Sequence, residues 1–380
     1  MPADLRIVRI EKGRLEGKRP RHAGSNARLG PHGDTVRPSV VRITTESGAS
    51  GWGYSSISRD LAETFLGMPF NTAFSSGHGG TTAAFRAIDY PLWDLAGKLE
   101  NQPVHALVCE SGLSDTPLSA PCYDTSLYFD DLHLDSDEEA AALLASEARD
   151  GYERGHRAFK LKVGRGAMHM PLEAGTRRDI AVIRAVREAV GPEPPIMLDA
   201  NNGYNLNLTQ QVLGETADCG IFWIEEAFHE DATLYLHLKN WLKANNLPIL
   251  IADGEGEASP SLMRWAAEGI IDVVQYDIFG HGFTTWLNTA KELDARGARS
   301  APHHYGMGIG NYISCHLAPA IQNFTFVEWD EAVMVGVDAS GYRVENGRAI
   351  APNTPGFGLG LDEEVFAASV AKEGFTVSLS

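Results

Sequence analysis

Two textures of apolar and polar positions divide the chain. Leu5–Ile10 and Ser39–Thr45 alternate at a period of two, which predicts half-buried strands, and the second runs into a Glu46-Ser47-Gly48 turn. Between them, Gly17–Arg37 is polar and rich in Gly, Pro, Arg and His, and predicts a long loop of the kind that is either functional or disordered. Thr82–Ala96 then carries apolar residues at helical spacing. These segments predict an α+β domain over residues 1–117.

From about residue 118 the rhythm changes. Helical patterns at Glu138–Arg154, Arg177–Val190 and Gln210–Asp218 alternate with short apolar runs. The runs are Ala158–Val163, Pro195–Leu198, Ile221–Ile224, Ile249–Ala252, Val273–Tyr276, Arg299–Pro302 and Phe324–Val327. Strand–helix alternation predicts parallel βα units. About eight such units fit between residues 118 and 340, enough for a closed barrel of the α/β class. The tail, residues 341–380, contains the turn-rich Pro355-Gly356-Phe357-Gly358-Leu359-Gly360 and is expected to return to the first domain.

Composition narrows the partners. A 380-residue chain with a formal charge of −18 is a poor match for nucleic acid. The acidity does not exclude an anionic substrate, since a metal and a few cations can set the field inside a cleft. The four cysteines (Cys109, Cys122, Cys219 and Cys315) are far apart, without zinc-type pairing, and suit free thiols in a reducing compartment. No apolar run approaches the roughly 18 residues of a membrane helix, and no signal-peptide core opens the chain. A cytoplasmic protein with no membrane partner is expected.

Ionisable groups follow almost every candidate barrel strand at its C-terminal end. Lys160-Leu161-Lys162 ends the second unit and Asp199-Ala200-Asn201-Asn202 the third. Glu225-Glu226, Asp253-Gly254-Glu255, Asp277, His303-His304 and Glu328 end the next five. In a barrel all these ends share one rim, so the groups ring one cavity. Carboxylates gathered from neighbouring strands repel unless a cation joins them. Asp199, Glu225 and one of Asp253 or Glu255 are therefore candidate ligands, and an oxygen-only set favours Mg²⁺ over zinc. Strand alternation points Lys160 and Lys162 to the same face, where crowding is expected to lower the pKa of one amine and fit it as a general base.

The ordered set Lys-x-Lys, Asp-x-Asn, Glu-Glu, Asp-Gly-Glu, Asp, His, Glu resembles the enolase superfamily, in its mandelate racemase and muconate lactonizing enzyme-like group. Ala87–Lys98 resembles the family's helix signature in the first domain, and Gly356–Leu359 its closing segment. The resemblance spans nearly the whole chain. It implies a modified TIM barrel, (β/α)7β, under an α+β capping domain built from the N-terminus and the C-terminal tail. It also implies one Mg²⁺ per subunit, a homo-oligomer, and proton abstraction α to a carboxylate. A Lys or His base with a metal-stabilised ene-diolate is the superfamily's general scheme rather than a property read from this chain.

The same resemblance implies roles. Lys162 is the base on one face, supported by Lys160. On the other face Asp277 orients a histidine, with His303 preferred because it follows Pro302, and His304 favoured by a count from Asp277. Glu328 hydrogen-bonds a developing enolate or carboxylate oxygen, and Asn201 faces the substrate. For the third metal ligand, counting from Pro248 favours Asp253, while the look of the motif favours Glu255. Asp253 is preferred, with Glu255 as the alternative. His281 departs from a usually Gly-rich position and is a candidate substrate contact, as is His304. Arg21 and His22, with Arg19 and Arg28, lie in the N-terminal loop that closes over such barrels and selects substrate. The implied activity is a carbon–oxygen lyase, an acid sugar dehydratase turning an aldonate or aldarate into a 2-keto-3-deoxy acid. A racemase or epimerase on the same ring is the alternative. A catalytically inactive metal- or metabolite-binding protein is the alternative of another class.

Overall fold

Strand Ile7–Arg14 buries Ile7 and Ile10 completely and pairs antiparallel with Ser39–Thr45, setting Ile10 opposite Ile43. Ser50–Tyr54 extends this sheet on one side, and Phe375–Ser378 from the far end of the chain extends it on the other. The structure, a computed structural model, describes residues 5–75, 79–109, 112, 116–256 and 258–379. Helix Asp89–Glu100 lies against the sheet so closely that a Cβ at Gly51 would come within 2.3 Å of the Pro91 carbonyl oxygen. The helix begins at Asp89 rather than at Thr82; Ala83–Ile88 form a 3-10 turn. Pro91 falls in the first α-turn, where its missing N–H costs nothing.

The polar stretch Gly17–Arg37 is not a simple loop. It forms two strands, Gly17–Ala23 and Gly33–Val36, that pair with each other, and Val333–Met334 adds a third. Its polarity reflects alternating exposure along Gly17–Ala23: Arg19 and Ala23 are buried, while Lys18 and Pro20 are exposed.

From residue 118 onward, parallel strands and helices alternate. The strands are Leu118–Leu127, Phe159–Lys162, Ile196–Asp199, Ile221–Glu225, Leu250–Asp253, Val273–Val274, Arg299–Ser300 and Val327–Trp329. Each of the first six pairs with the next, and the eighth pairs with the first. The seventh and eighth meet through one parallel bridge, Ser300 to Phe324, rather than a ladder. The architecture is a TIM-barrel-like α/β fold with a capping layer. Two differences from the sequence pattern stand out. Leu118–Leu127 is masked as a strand by Pro121 and by the polar run Asp124-Thr125-Ser126. The last strand starts at Val327, three residues later than Phe324. The hairpin Arg343–Glu345/Arg348–Ala351 pairs with the first parallel strand, so this part of the tail lies on the barrel and not on the capping sheet.

The strand interiors explain where the site sits. Tyr123, Met197, Trp223, Ala252 and Val273 from five strands, with Ala158 just before the second strand and Ala301 just after the seventh, form one buried cluster. Met197 and Trp223 each precede an inward carboxylate, Asp199 and Glu225, by two residues, as side-chain alternation requires. The apolar plug therefore underlies the polar rim.

Candidate active site

Asp199, Glu225 and Glu255 each offer a carboxylate oxygen, and these oxygens lie within 4.8 Å of one another. Asp253, the preferred third ligand from the sequence, is not among them. Parallel register sets Ala252 opposite Glu225, so Ala252 takes the inward phase and Asp253 points out toward the helices. There it is buried and accepts a hydrogen bond from the Tyr235 hydroxyl. Gly254 then adopts φ +126°, a conformation that L side chains rarely adopt, and this turn swings Glu255 back into the cluster. Burial, with Glu230 nearby, holds the Asp253 carboxyl well above the usual range.

Two lysines neutralise the cluster. Lys160 Nζ lies 2.8 Å from Glu225, 3.0 Å from Glu328 and 3.7 Å from Asp199. Lys162 Nζ contacts the Asp199 carboxylate directly. Both amines are almost fully buried. The lowering expected from amine crowding is real but overruled. Burial and Lys160 push Lys162 down, yet Asp199, Glu255 and Glu225 together outweigh them and raise it. Glu225 and Glu328 hold Lys160 well above its usual value against burial. Burial, reinforced by Asp199 and Glu255, pushes Glu225 up to about 7 despite Lys160. Trp223 Nε1 and Gln275 Nε2 also donate to Glu225, at 3.0 and 2.9 Å.

His303 faces this cluster from the seventh unit. Its Nε2 is 3.0 Å from Glu255 and 3.7 Å from Glu328, and its Nδ1 is 3.4 Å from Asp277. Burial disfavours the imidazolium, but Glu255, Glu328 and Asp277 overcome it and hold His303 well above its ordinary pKa. Asp277 is itself fixed, accepting 2.8 Å bonds from the Phe279 and Gly280 amides. Glu328 accepts from Thr125 Oγ1 at 2.7 Å and from the His304 amide at 2.9 Å. Lys160 and His303 keep it well below the carboxylate range although it is buried. Both Glu328 oxygens are thus engaged as acceptors, by Thr125 and by the His304 amide.

A cavity of about 380 Å³ opens on this arrangement, lined by Lys162, Asn201, Glu255 and His303 from the strand ends. Arg19, Asn26, His32, Thr35 and Arg37 line it from the N-terminal hairpin region, with Tyr128 and Tyr305 beside them. Asn201, in a left-handed conformation at φ 41°, donates its amide to Glu226 at 2.9 Å and Glu255 at 3.1 Å.

Four expected substrate contacts lie elsewhere. His304 is fully buried, with Nε2 turned to the Glu328 carbonyl. His281 stacks on Tyr276 at 4.6 Å and meets Thr289 at 2.7 Å, and burial lowers its pKa to about 4. Arg21 and His22 line a neighbouring cavity of about 440 Å³, where Arg21 is held by Glu147 at 3.2 Å. Arg28 lines a third cavity with Glu226 and Asp253. Sequence reading missed Glu226, His32, Tyr128 and Tyr305. The pair Glu225-Glu226 signals Glu226, whereas the aromatic residues carry no such signal.

The donors suit one hard divalent cation: the cluster offers carboxylate oxygens only, one from each of three residues, all within 4.8 Å of one another. Among the described residues no helix is long and apolar enough to cross a membrane.

A family model for the enolase C-terminal domain-like family matches residues 143–365. A galacturonate dehydratase from Geobacillus sp., complexed with D-galacturonate and 5-keto-4-deoxy-D-galacturonate, is 46% identical. The match covers 99% of this chain and 100% of that one, with a TM-score of 0.94. A mutant of a Geobacillus sp. galacturonate dehydratase complexed with Mg is 45% identical, over 99% and 97% of the two chains, at a TM-score of 0.95. D-galactarolactone cycloisomerase of Agrobacterium fabrum is 27% identical over 73% of this chain and 68% of its own. Arabinonate dehydratase of Saccharolobus solfataricus is 26% identical over 76% and 72%.

Proposed function

The chain belongs to the enolase C-terminal domain-like family, and from that membership we propose that it is a Mg²⁺-dependent hydro-lyase that dehydrates an acid sugar. The observation that carries the reading is the meeting of Lys162, His303 and Glu255 in one cavity beside Asp199 and Glu225. Asp199, Glu225 and Glu255 would hold one Mg²⁺, which supplies a Lewis acid for the substrate carboxylate.

With Asp199 committed to Mg²⁺, the charge that raises Lys162 would be drawn away from it, and as the free amine Lys162 takes the proton α to the carboxylate. The C–H electron pair moves into the carboxylate, then returns to form the Cα–Cβ double bond as the Cβ–O bond breaks. His303, held as the imidazolium by Glu255 and Asp277, gives its proton to the departing hydroxyl, which leaves as water. The resulting enol tautomerises to a ketone. Lys160 balances Glu225 and Glu328 and keeps the rim charge fixed.

The expected substrates, aldonates and aldarates, widen to include hexuronates. In a hexuronate the carbon beside the carboxylate is C5 and the departing hydroxyl is on C4, so these steps give a 5-keto-4-deoxy product. That substrate and product pair is bound to the Geobacillus relative, which supports D-galacturonate as the first compound to test.

The test is a panel of uronates, aldonates and aldarates incubated with Mg²⁺, with products identified by NMR. A keto-deoxy acid from at least one member is expected, and no water loss from any member would sink the reading. In D2O the keto-deoxy product should carry deuterium at the former β-carbon, where the enol takes up a solvent proton, and Lys162→Ala should abolish product formation. An epimerase is the second reading, favoured by acid–base groups coming from the second and seventh strand ends. It would give inversion at the α-carbon with no loss of water.

A further inference from the structure

Resting on the dehydratase reading, we propose that Asp330 sets how many carboxylates the site accepts: by neutralising Arg19 it restricts the cavity to acid sugars with one carboxylate. Arg19 is the cation that the N-terminal hairpin carries deepest into the cavity. Its Nε donates to Asp330 Oδ1 at 2.8 Å and its Nη2 to Oδ2 at 2.7 Å, a two-point pair. Both side chains are nearly buried, 6% and 2% exposed, so solvent does little to weaken the pair. Nη1 reaches the Gly33 carbonyl at 3.4 Å, and the guanidinium lies over the Tyr305 ring at 4.4 Å. Each nitrogen of the guanidinium thus has a protein partner.

Asp330 is braced for this work. Asn311 clamps its backbone, donating to its carbonyl at 2.7 Å and accepting from its amide at 3.0 Å. The Ala332 and Gly306 amides approach its carboxylate at 3.3 and 3.4 Å.

Among the described residues that line this cavity from the hairpin side no cation is unpaired, and Arg28 lines the adjoining cavity instead. Arg37 is exposed and paired with Glu16 at 2.7 Å. His32 Nδ1 is engaged with the Gly24 carbonyl at 3.0 Å, its ring edge-on to Tyr128. Burial, with Lys162 and Arg19 nearby, lowers its pKa and keeps it neutral. Lys162 and His303 belong to the reacting end. A second carboxylate entering here would lose its hydration without meeting a counter-charge, which is costly in a closed site. Thr35 and Tyr128 suit hydroxyls and a carbonyl or ring oxygen instead.

D-galacturonate and galactarate make the test, since they differ only in an aldehyde carbon against a carboxylate. Dissociation constants come from the concentration dependence of thermal stabilisation of the Mg²⁺-loaded protein, and kcat/KM from product formation. Wild type should bind D-galacturonate about 100-fold more tightly than galactarate. Asp330→Asn, which frees the Arg19 charge, should narrow that ratio by about tenfold or more through a gain on galactarate. Arg19→Gln removes the cation and should show no such gain, which separates charge release from loosened packing. Wild-type affinities within threefold of each other, galactarate the tighter ligand, or neither acid binding would each overturn the proposal. So would a folded Asp330→Asn with an unchanged ratio. Selective binding without water loss would instead refute the dehydratase reading and leave this one supported.

Discussion

At the scale of single residues, the site turns on the phase of side chains around Gly254. Ala252 faces the barrel interior, so Asp253 faces out, and only the positive φ of Gly254 returns Glu255 to the cluster. Glu255→Gln should therefore weaken Mg²⁺ binding, read from the Mg²⁺-dependent rise in Tm, by more than about tenfold. Asp253→Asn should keep that rise and lose only about 1–2 kcal/mol of stability with its Tyr235 bond. The reverse pattern would restore Asp253 as the ligand. Glu225 adds a pH dependence. Its pKa in the folded protein, about 7, lies above its ordinary value near 4.5, so a proton occupies it below neutrality and competes with the metal. Metal affinity should fall as pH drops through about 7, measured by titration at pH 5.5 and 8. The sign is opposite for folding without metal: Glu225 stabilises most below about 4.5, and that contribution is lost as pH rises through about 7. The types and order of the rim residues were legible in the sequence. Their phase was not, because it depends on register with a neighbouring strand and on one backbone angle.

At the scale of elements, Arg165 ties the barrel together although no sequence pattern singles it out. It is fully buried after the second parallel strand, 2.6 Å from Asp131 and 2.7 Å from Asp179. Asp179 sits on helix Leu172–Val190, and its Oδ2 also accepts the Gly164 amide and the Tyr204 hydroxyl at 2.8 Å. One guanidinium thus ties two strand ends to a helix. Arg165→Met leaves Asp179 with no counter-charge and Asp131 with only Arg178 at 3.6 Å, and should cost about 3–5 kcal/mol in urea unfolding. A loss under about 1 kcal/mol would mean that the acids relax by taking up protons. Strands and helices in the barrel were legible because apolar period and length are local properties. The Gly17–Val36 hairpin was not, since its polar residues face either solvent or the polar cavity and never form an apolar stripe.

Across the whole molecule, the two ends of the chain are joined to the barrel through buried polar links. His316 is fully buried; its Nδ1 accepts the His105 amide at 3.0 Å and its Nε2 meets the Tyr342 hydroxyl at 2.7 Å. Burial, with His105 adding, holds its pKa well below the ordinary value. In the unfolded chain it takes up a proton near pH 6.5, while in the folded protein it does not. The stability that His316 supports is complete above about 6.5 and falls as pH drops below it. Urea midpoints at pH 7.5 and 5.5 should differ, and His316→Asn should shrink the difference; an undiminished difference would assign the acid sensitivity to other groups. Metal should act on the same scale, raising stability by about 2.7 kcal/mol at a hundredfold excess over its Kd. The strand pairing at the chain's two ends also has a consequence in time. The capping sheet is incomplete until Phe375–Ser378 reaches Ile7–Arg14, and the hairpin waits for Val333–Met334. On a ribosome, the first strands emerge on the order of tens of seconds before their last partners. A nascent chain therefore carries an open sheet edge through most of its synthesis, with Arg9, Lys12 and Arg14 as its charged guard against premature pairing.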